Sequence, residues 1–151
     1  MSITLHEVPA GNYRNITFLL GVDSARNNGS AQTGALDLVN GMYWTWLGYI
    51  ATKLEGQYKQ GNGSYNSFLY HIGGYMEPNN NMRWITVPFP ESAIVGSHMP
   101  NVHITSDVAE WFKTPTIINC AHYNSIMDLG KEMSTLVNNY IDMFKADHVE
   151  N

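Results

Sequence analysis

Residues 34–56 read "GALDLVNGMYWTWLGYIATKLEG", and an extended reading of the run 42–54 within them points the chain toward a β fold. In an extended chain alternate side chains share a face, so Trp44 and Trp46 stand together while Tyr43, Thr45 and Leu47 face the other way. Two rings on one side serve either as a core anchor or as a wall beside a reactive group. Around this run the same period recurs. Residues 14–22, "RNITFLLGV", place Ile16, Phe18, Leu20 and Val22 on one face, the pattern of a half-buried strand. Further strands are predicted near 66–72, 83–89 and 101–105, separated by turn-forming clusters such as "KQGNGSYN" and "EPNNN". The run from Asp23 to Leu38 has no periodicity and reads as a long polar loop, a length that usually carries a function.

The end of the chain changes period. Met133, Leu136, Val137, Tyr140, Ile141 and Phe144 recur at helical spacing, which predicts a C-terminal amphipathic helix. A shorter helical turn is expected from Asp107, whose carboxylate can cap it with Glu110 three residues on, before Thr114 and Pro115 end it.

Composition limits the function. The 151 residues suit a single domain, and 44% hydrophobic content is enough for one core. Eight basic against thirteen acidic residues give a formal charge of -5, with no basic stripe to neutralise phosphates, so nucleic acid is an unsuitable partner. Cys120 is the sole cysteine, which excludes an internal disulfide and a multi-thiolate metal site. No export signal is visible in "MSITLHEVPAGNY", and no uninterrupted apolar stretch approaches the roughly 18 residues of a membrane span. The chain opens almost inside a predicted strand, which suits a fragment or processed product as well as a complete protein.

The six histidines carry the most chemistry, because imidazole nitrogen suits copper, zinc, nickel and iron. His71 in "FLYHIGG" is out of phase with Phe68, Tyr70 and Ile72, and His103 in "NVHITSDV" is out of phase with Val102 and Ile104. Both project from the face opposite the apolar one, where an isolated histidine is more often a solvated or hydrogen-bonded surface residue than a metal ligand, so spacing alone gives a weak metal signal. His98, His122 and His148 fall in loop or terminal contexts and His6 lies near the start. "DSARNNG", residues 23–29, resembles a calcium loop but has Ala25 at its third position. No nucleophile elbow, phosphate loop, dinucleotide fingerprint or paired-histidine zinc motif occurs, and the apolar "TIINCA" setting marks Cys120 as an inert thiol.

Taken in order, "GNYRNITFLLGVDSARNNGSAQTGALDLVNGMYWTW", "GYIATKLEG", "YHIGG" and "PNVHITSDV" resemble the MbnP-like copper-binding proteins associated with methanobactin and related copper-responsive systems. The likeness runs from about Gly11 to Asp107. It implies a periplasmic or secreted protein with an antiparallel, immunoglobulin-like β-sandwich, a copper cofactor held by histidines, and no turnover of its own. It also implies oxidation of a nearby tryptophan to kynurenine by an MbnH-like di-haem enzyme of the cytochrome c peroxidase type. Matched residue by residue, His71 and His103 become copper ligands, His98 and His148 are candidates to complete the shell, and Trp44 or Trp46 supplies the modified ring. Two departures accompany the likeness. Relatives carry an extra residue where this chain reads "WTWLGYI", and they have N-terminal strands ahead of the segment that starts here, so a single domain lacking those strands is expected. A metal-free recognition module using Tyr43, Tyr49 and Tyr65 against a glycan or protein is the competing reading, and a copper enzyme the third.

Overall fold

The computed structural model describes residues 2–29 and 32–151. Eight strands dominate it: β1 (Gly11–Leu20), β2 (Tyr43–Trp44), β3 (Gly48–Lys59), β4 (Tyr65–Gly73), β5 (Arg83–Val95), β6 (Asn101–Ser106), β7 (Ser125–Ile126) and β8 (Phe144–Glu150). Two helices accompany them, the short α1 (Ser24–Asn27) and the longer α2 (Lys131–Tyr140). The strands form three sheets in the orders β1-β5, β2-β3-β4-β7 and β6-β8, antiparallel except where the two-residue β7 runs parallel to β4. The fold is mainly β and sandwich-like, with one long helix near the C-terminus.

Alternation along β4 explains where the core sits. Phe68, Tyr70 and Ile72 point to one side and meet Met133, Leu136, Val137 and Tyr140 of α2, with Trp111, Ile118 and Ile126 closing the space between. Burial of these apolar side chains is the main stabilising term for both elements. The polar side chains packed against α2 are hydrogen-bonded. The fully buried Asn139 donates from Nδ2 to the carbonyls of Trp111 and Thr116 and accepts from the Thr116 amide, tying the turn after Phe112 to the helix. Tyr140 meets the Thr52 hydroxyl at 3.1 Å, and burial pushes its phenol up to about 12. A 3₁₀ turn over Val108–Phe112 begins as expected at Asp107, which accepts from the Ala109 amide. Glu110 pairs with Lys113 at 3.2 Å rather than reaching back to the cap.

Three expectations are corrected. The helical stripe stops at Tyr140: Phe144 opens β8, which pairs with β6 and packs edge-to-face on Phe18 of β1 at 5.3 Å. Its strand signal is hidden because Phe144 continues the spacing of the helix before it. Second, β5 runs on to Val95, past the expected end at residue 89, and a ladder irregularity between Tyr13 and Asn15 lies beside Pro88 and Pro90. Third, the polar loop is partly ordered into α1 and two single 3₁₀ turns, and Asp23 serves as the N-cap of α1 and ion-pairs with Arg26. Those bonds hold the Asp23 carboxyl below its ordinary value and use its oxygens within α1.

Candidate metal centres

The Trp44 and Trp46 pair does not lie on a continuous strand. β2 ends at Trp44, residues 45–47 form the turn of a hairpin, and β3 starts at Gly48. The Leu47 amide closes the turn on the Trp44 carbonyl at 3.3 Å. Gly48 adopts φ +87, and a Cβ there would sit 2.3 Å from Asn27 Oδ1, the atom that accepts the Tyr49 amide. The "WTWLGYI" segment is thus closed by a tight glycine hairpin. The turn still brings both indoles together: they stack at 5.2 Å with 12° between their planes. Trp46 is the outer ring, 61% exposed, and Trp44 is half-buried.

This hairpin folds over the face of β4 that carries His71. Gly73 permits the approach, since a Cβ at that position would meet Leu47 at 2.9 Å and the Trp44 ring at 3.4 Å. His71 is consequently buried, a correction to the open placement expected from its phase on the strand. Its ring lies 5.9 Å from that of Trp44. On the other side His71 Nε2 meets Glu55 Oε1 at 2.6 Å, and the same carboxylate takes Lys53 Nζ at 3.2 Å. Glu55 is held below its ordinary value, first by the His71 hydrogen bond and then by Lys53, so it is ionised at neutral pH. An ionised carboxylate only accepts, which places a proton on Nε2, and in the neutral form of the ring the lone pair is then on Nδ1. That Nδ1 is buried and has no hydrogen-bond partner among the described residues.

A second group lies on the β6-β8 sheet. His103 and His148 are directly opposite across the ladder, and their rings stack at 4.1 Å and 14°. Glu150, two residues along β8 from His148, approaches both: His103 Nε2 lies 3.5 Å from Oε2 and His148 Nε2 lies 3.7 Å from Oε1. The ladder slips between His103 and Ile104, leaving Asp147 without a partner across the strands and setting it against His148 Nδ1 at 2.8 Å. That hydrogen bond is the main reason the His148 imidazole is raised above its ordinary value, with the Asp147 and Glu150 charges adding to it. His103, His148 and Glu150 are all exposed, and one potential ligand atom from each falls within 4.8 Å of the others.

The four histidines expected to share a shell are therefore distributed. His103 and His148 come together, His71 stands with Glu55 and Trp44 on a different sheet, and His98 lies exposed in the bend between β5 and β6, outside the three-residue group. Glu150, Asp147 and Glu55 were not anticipated. The "HVE" alternation at 148–150 would have exposed Glu150 had the segment been read as a strand. Of the tyrosines offered for recognition, Tyr49 is buried with its hydroxyl on the Leu36 carbonyl, whereas Tyr43 lines an open groove of about 410 Å³ with Trp46, Tyr75 and Asn27.

Among the described residues no helix is long and apolar enough to cross a membrane. No curated protein and no solved structure gives a match. A family model described as MbnP matches residues 1–128, and with that span of its length covered the chain belongs to the MbnP family, which is linked to methanobactin systems.

Proposed function

We propose that the chain is a periplasmic or secreted copper-binding protein that takes up or hands on copper without turning over a substrate, through a centre built on His71 and Trp44. The observation that carries this reading is the buried, unpartnered Nδ1 of His71 beside the Trp44 ring. A ligating imidazole ordinarily gives its far nitrogen to a carboxylate, and Glu55 occupies that position on Nε2. The donor set fits copper in kind, since imidazole suits it.

One imidazole is too few ligands, and an intact indole offers none. Oxidation of Trp44 supplies them. Addition of two oxygen atoms, from dioxygen or from two peroxides, cleaves the pyrrole ring to N-formylkynurenine, and hydrolysis releases formate to leave an aromatic amine and a ketone. Trp44 is the ring chosen because it touches His71, whereas Trp46 touches Trp44 from the solvent side. An MbnH-like di-haem enzyme is the proposed oxidant, and copper affinity is then conditional on its action.

The test compares protein made alone with protein made beside such an enzyme. Peptide mass spectrometry should find both indoles intact in the first and Trp44 converted in the second, and with His103 and His148 replaced by alanine in both, so that the exposed pair does not compete, copper titration should find tight binding only in the second. His71→Ala should abolish that binding while leaving the modification detectable. Copper binding that is equally tight with both rings intact would remove the dependence on kynurenine. A converted Trp44 with no copper bound would remove the copper function and favour a recognition role for the groove beside Trp46.

A further inference from the structure

We propose that His103, His148 and Glu150 form a second, solvent-facing site for a divalent transition cation, separate from the His71 centre and independent of any tryptophan modification. Two imidazole nitrogens and one carboxylate oxygen are a donor set suited to zinc and copper(II). Its spacing also favours a bridging ion over direct contact. Charge-assisted hydrogen bonds draw donor and acceptor to about 2.7–2.9 Å, yet Glu150 stands 3.5 Å from His103 and 3.7 Å from His148. Metal–ligand bonds of about 2.0–2.2 Å at a tetrahedral centre put neighbouring donor atoms roughly 3.4 Å apart; one donor atom from each of the three residues already lies within 4.8 Å of the others, so modest side-chain movement closes the set.

The surroundings point the same way. Asp147 Oδ2 lies 2.8 Å from His148 Nδ1, so that the carboxylate engages this nitrogen and Nε2 is the one turned to the Glu150 side. The slip in the ladder that puts Asp147 there is a local irregularity of the kind that re-aims side chains. His103 and His148 are fixed opposite one another by the hydrogen-bonded register of two strands, so little ordering remains to be done when an ion arrives. Three protein donors at an exposed position leave the rest of the shell to water, which makes the ion exchangeable with an incoming chelator or protein side chain.

Zinc is the probe that separates this site from the copper centre. Isothermal titration of ZnCl₂ into metal-free protein made without a haem partner, with both indoles intact, should give one ion per chain. His103→Ala and His148→Ala should each weaken binding at least tenfold, Glu150→Gln should weaken it less, and His71→Ala should leave it unchanged. In the parent, zinc should shift the imidazole resonances of His103 and His148 and spare His71, a readout that needs no substitution. Absence of a saturable zinc event, or alanine variants at 103 and 148 that bind like the parent, would overturn the proposal. Zinc lost on His71→Ala alone would overturn it too while leaving the copper reading standing; zinc retained by a protein whose copper titration fails would sink only the latter.

Discussion

At the level of single residues, glycines decide whether the Trp44 hairpin can exist. Gly48 combines a left-handed backbone with a Cβ position already occupied by Asn27 Oδ1. Gly48→Ala should cost about 1–3 kcal/mol for the backbone conformation alone, read as a lower denaturation midpoint. Gly73→Ala tests a different thing. Its backbone is ordinary strand, so the added methyl acts through contact with Leu47 and the Trp44 ring. It should move Trp44 off His71, changing tryptophan emission far more than stability, and unaltered emission would mean the ring has room to spare. None of this crowding is written in a local pattern. The phase of His71 on β4 was legible from Phe68, Tyr70 and Ile72, but its burial depends on a hairpin more than twenty residues earlier in the chain, a long-range contact that periodicity does not encode.

Among the elements, α2 is secured by side chains with no exposure at all. Leu136 lies wholly within the cluster shared with β4, so Leu136→Ala should lower stability by about 2–5 kcal/mol, and an unchanged melting temperature would place the helix off the core. The 3₁₀ turn after β6 depends on charge instead. The Asp107 carboxyl is held below its ordinary value, first by the Ala109 amide and then by Lys113. A depressed folded-state value means a contribution present above the unfolded value of about 3.8 and lost as pH falls through the folded one. Asp107→Asn should accordingly melt lower than the parent at pH 7, with the gap closing as both are taken below about pH 4; a gap independent of pH would assign the effect to shape rather than charge. Both elements were readable from sequence, the helix by its stripe and the turn by its cap. β8 was not, because Phe144 satisfies the helical spacing that precedes it and a strand of seven residues offers few positions to contradict it.

Over the whole molecule, the three histidines on strands are shared between two sheets with different surroundings: His71 buried beside aromatic rings, His103 and His148 open to water. Sequence identified the ligand-type residues but could not partition them, since partition follows from strand pairing. On the proposed function, metal content should therefore vary with history: a chain made without a tryptophan-oxidising enzyme is expected to hold metal at the His103 and His148 pair alone, and a processed chain at both centres, which elemental analysis of the two preparations would check. The stacked indoles of Trp44 and Trp46 have a further consequence. Two identical chromophores 5.2 Å apart share their excited states, so the pair should contribute an exciton band to the circular dichroism spectrum that neither ring gives alone. Opening one ring replaces half of the pair with a different absorber and extinguishes that band, so the chain reports its own maturation optically, in real time and without being digested.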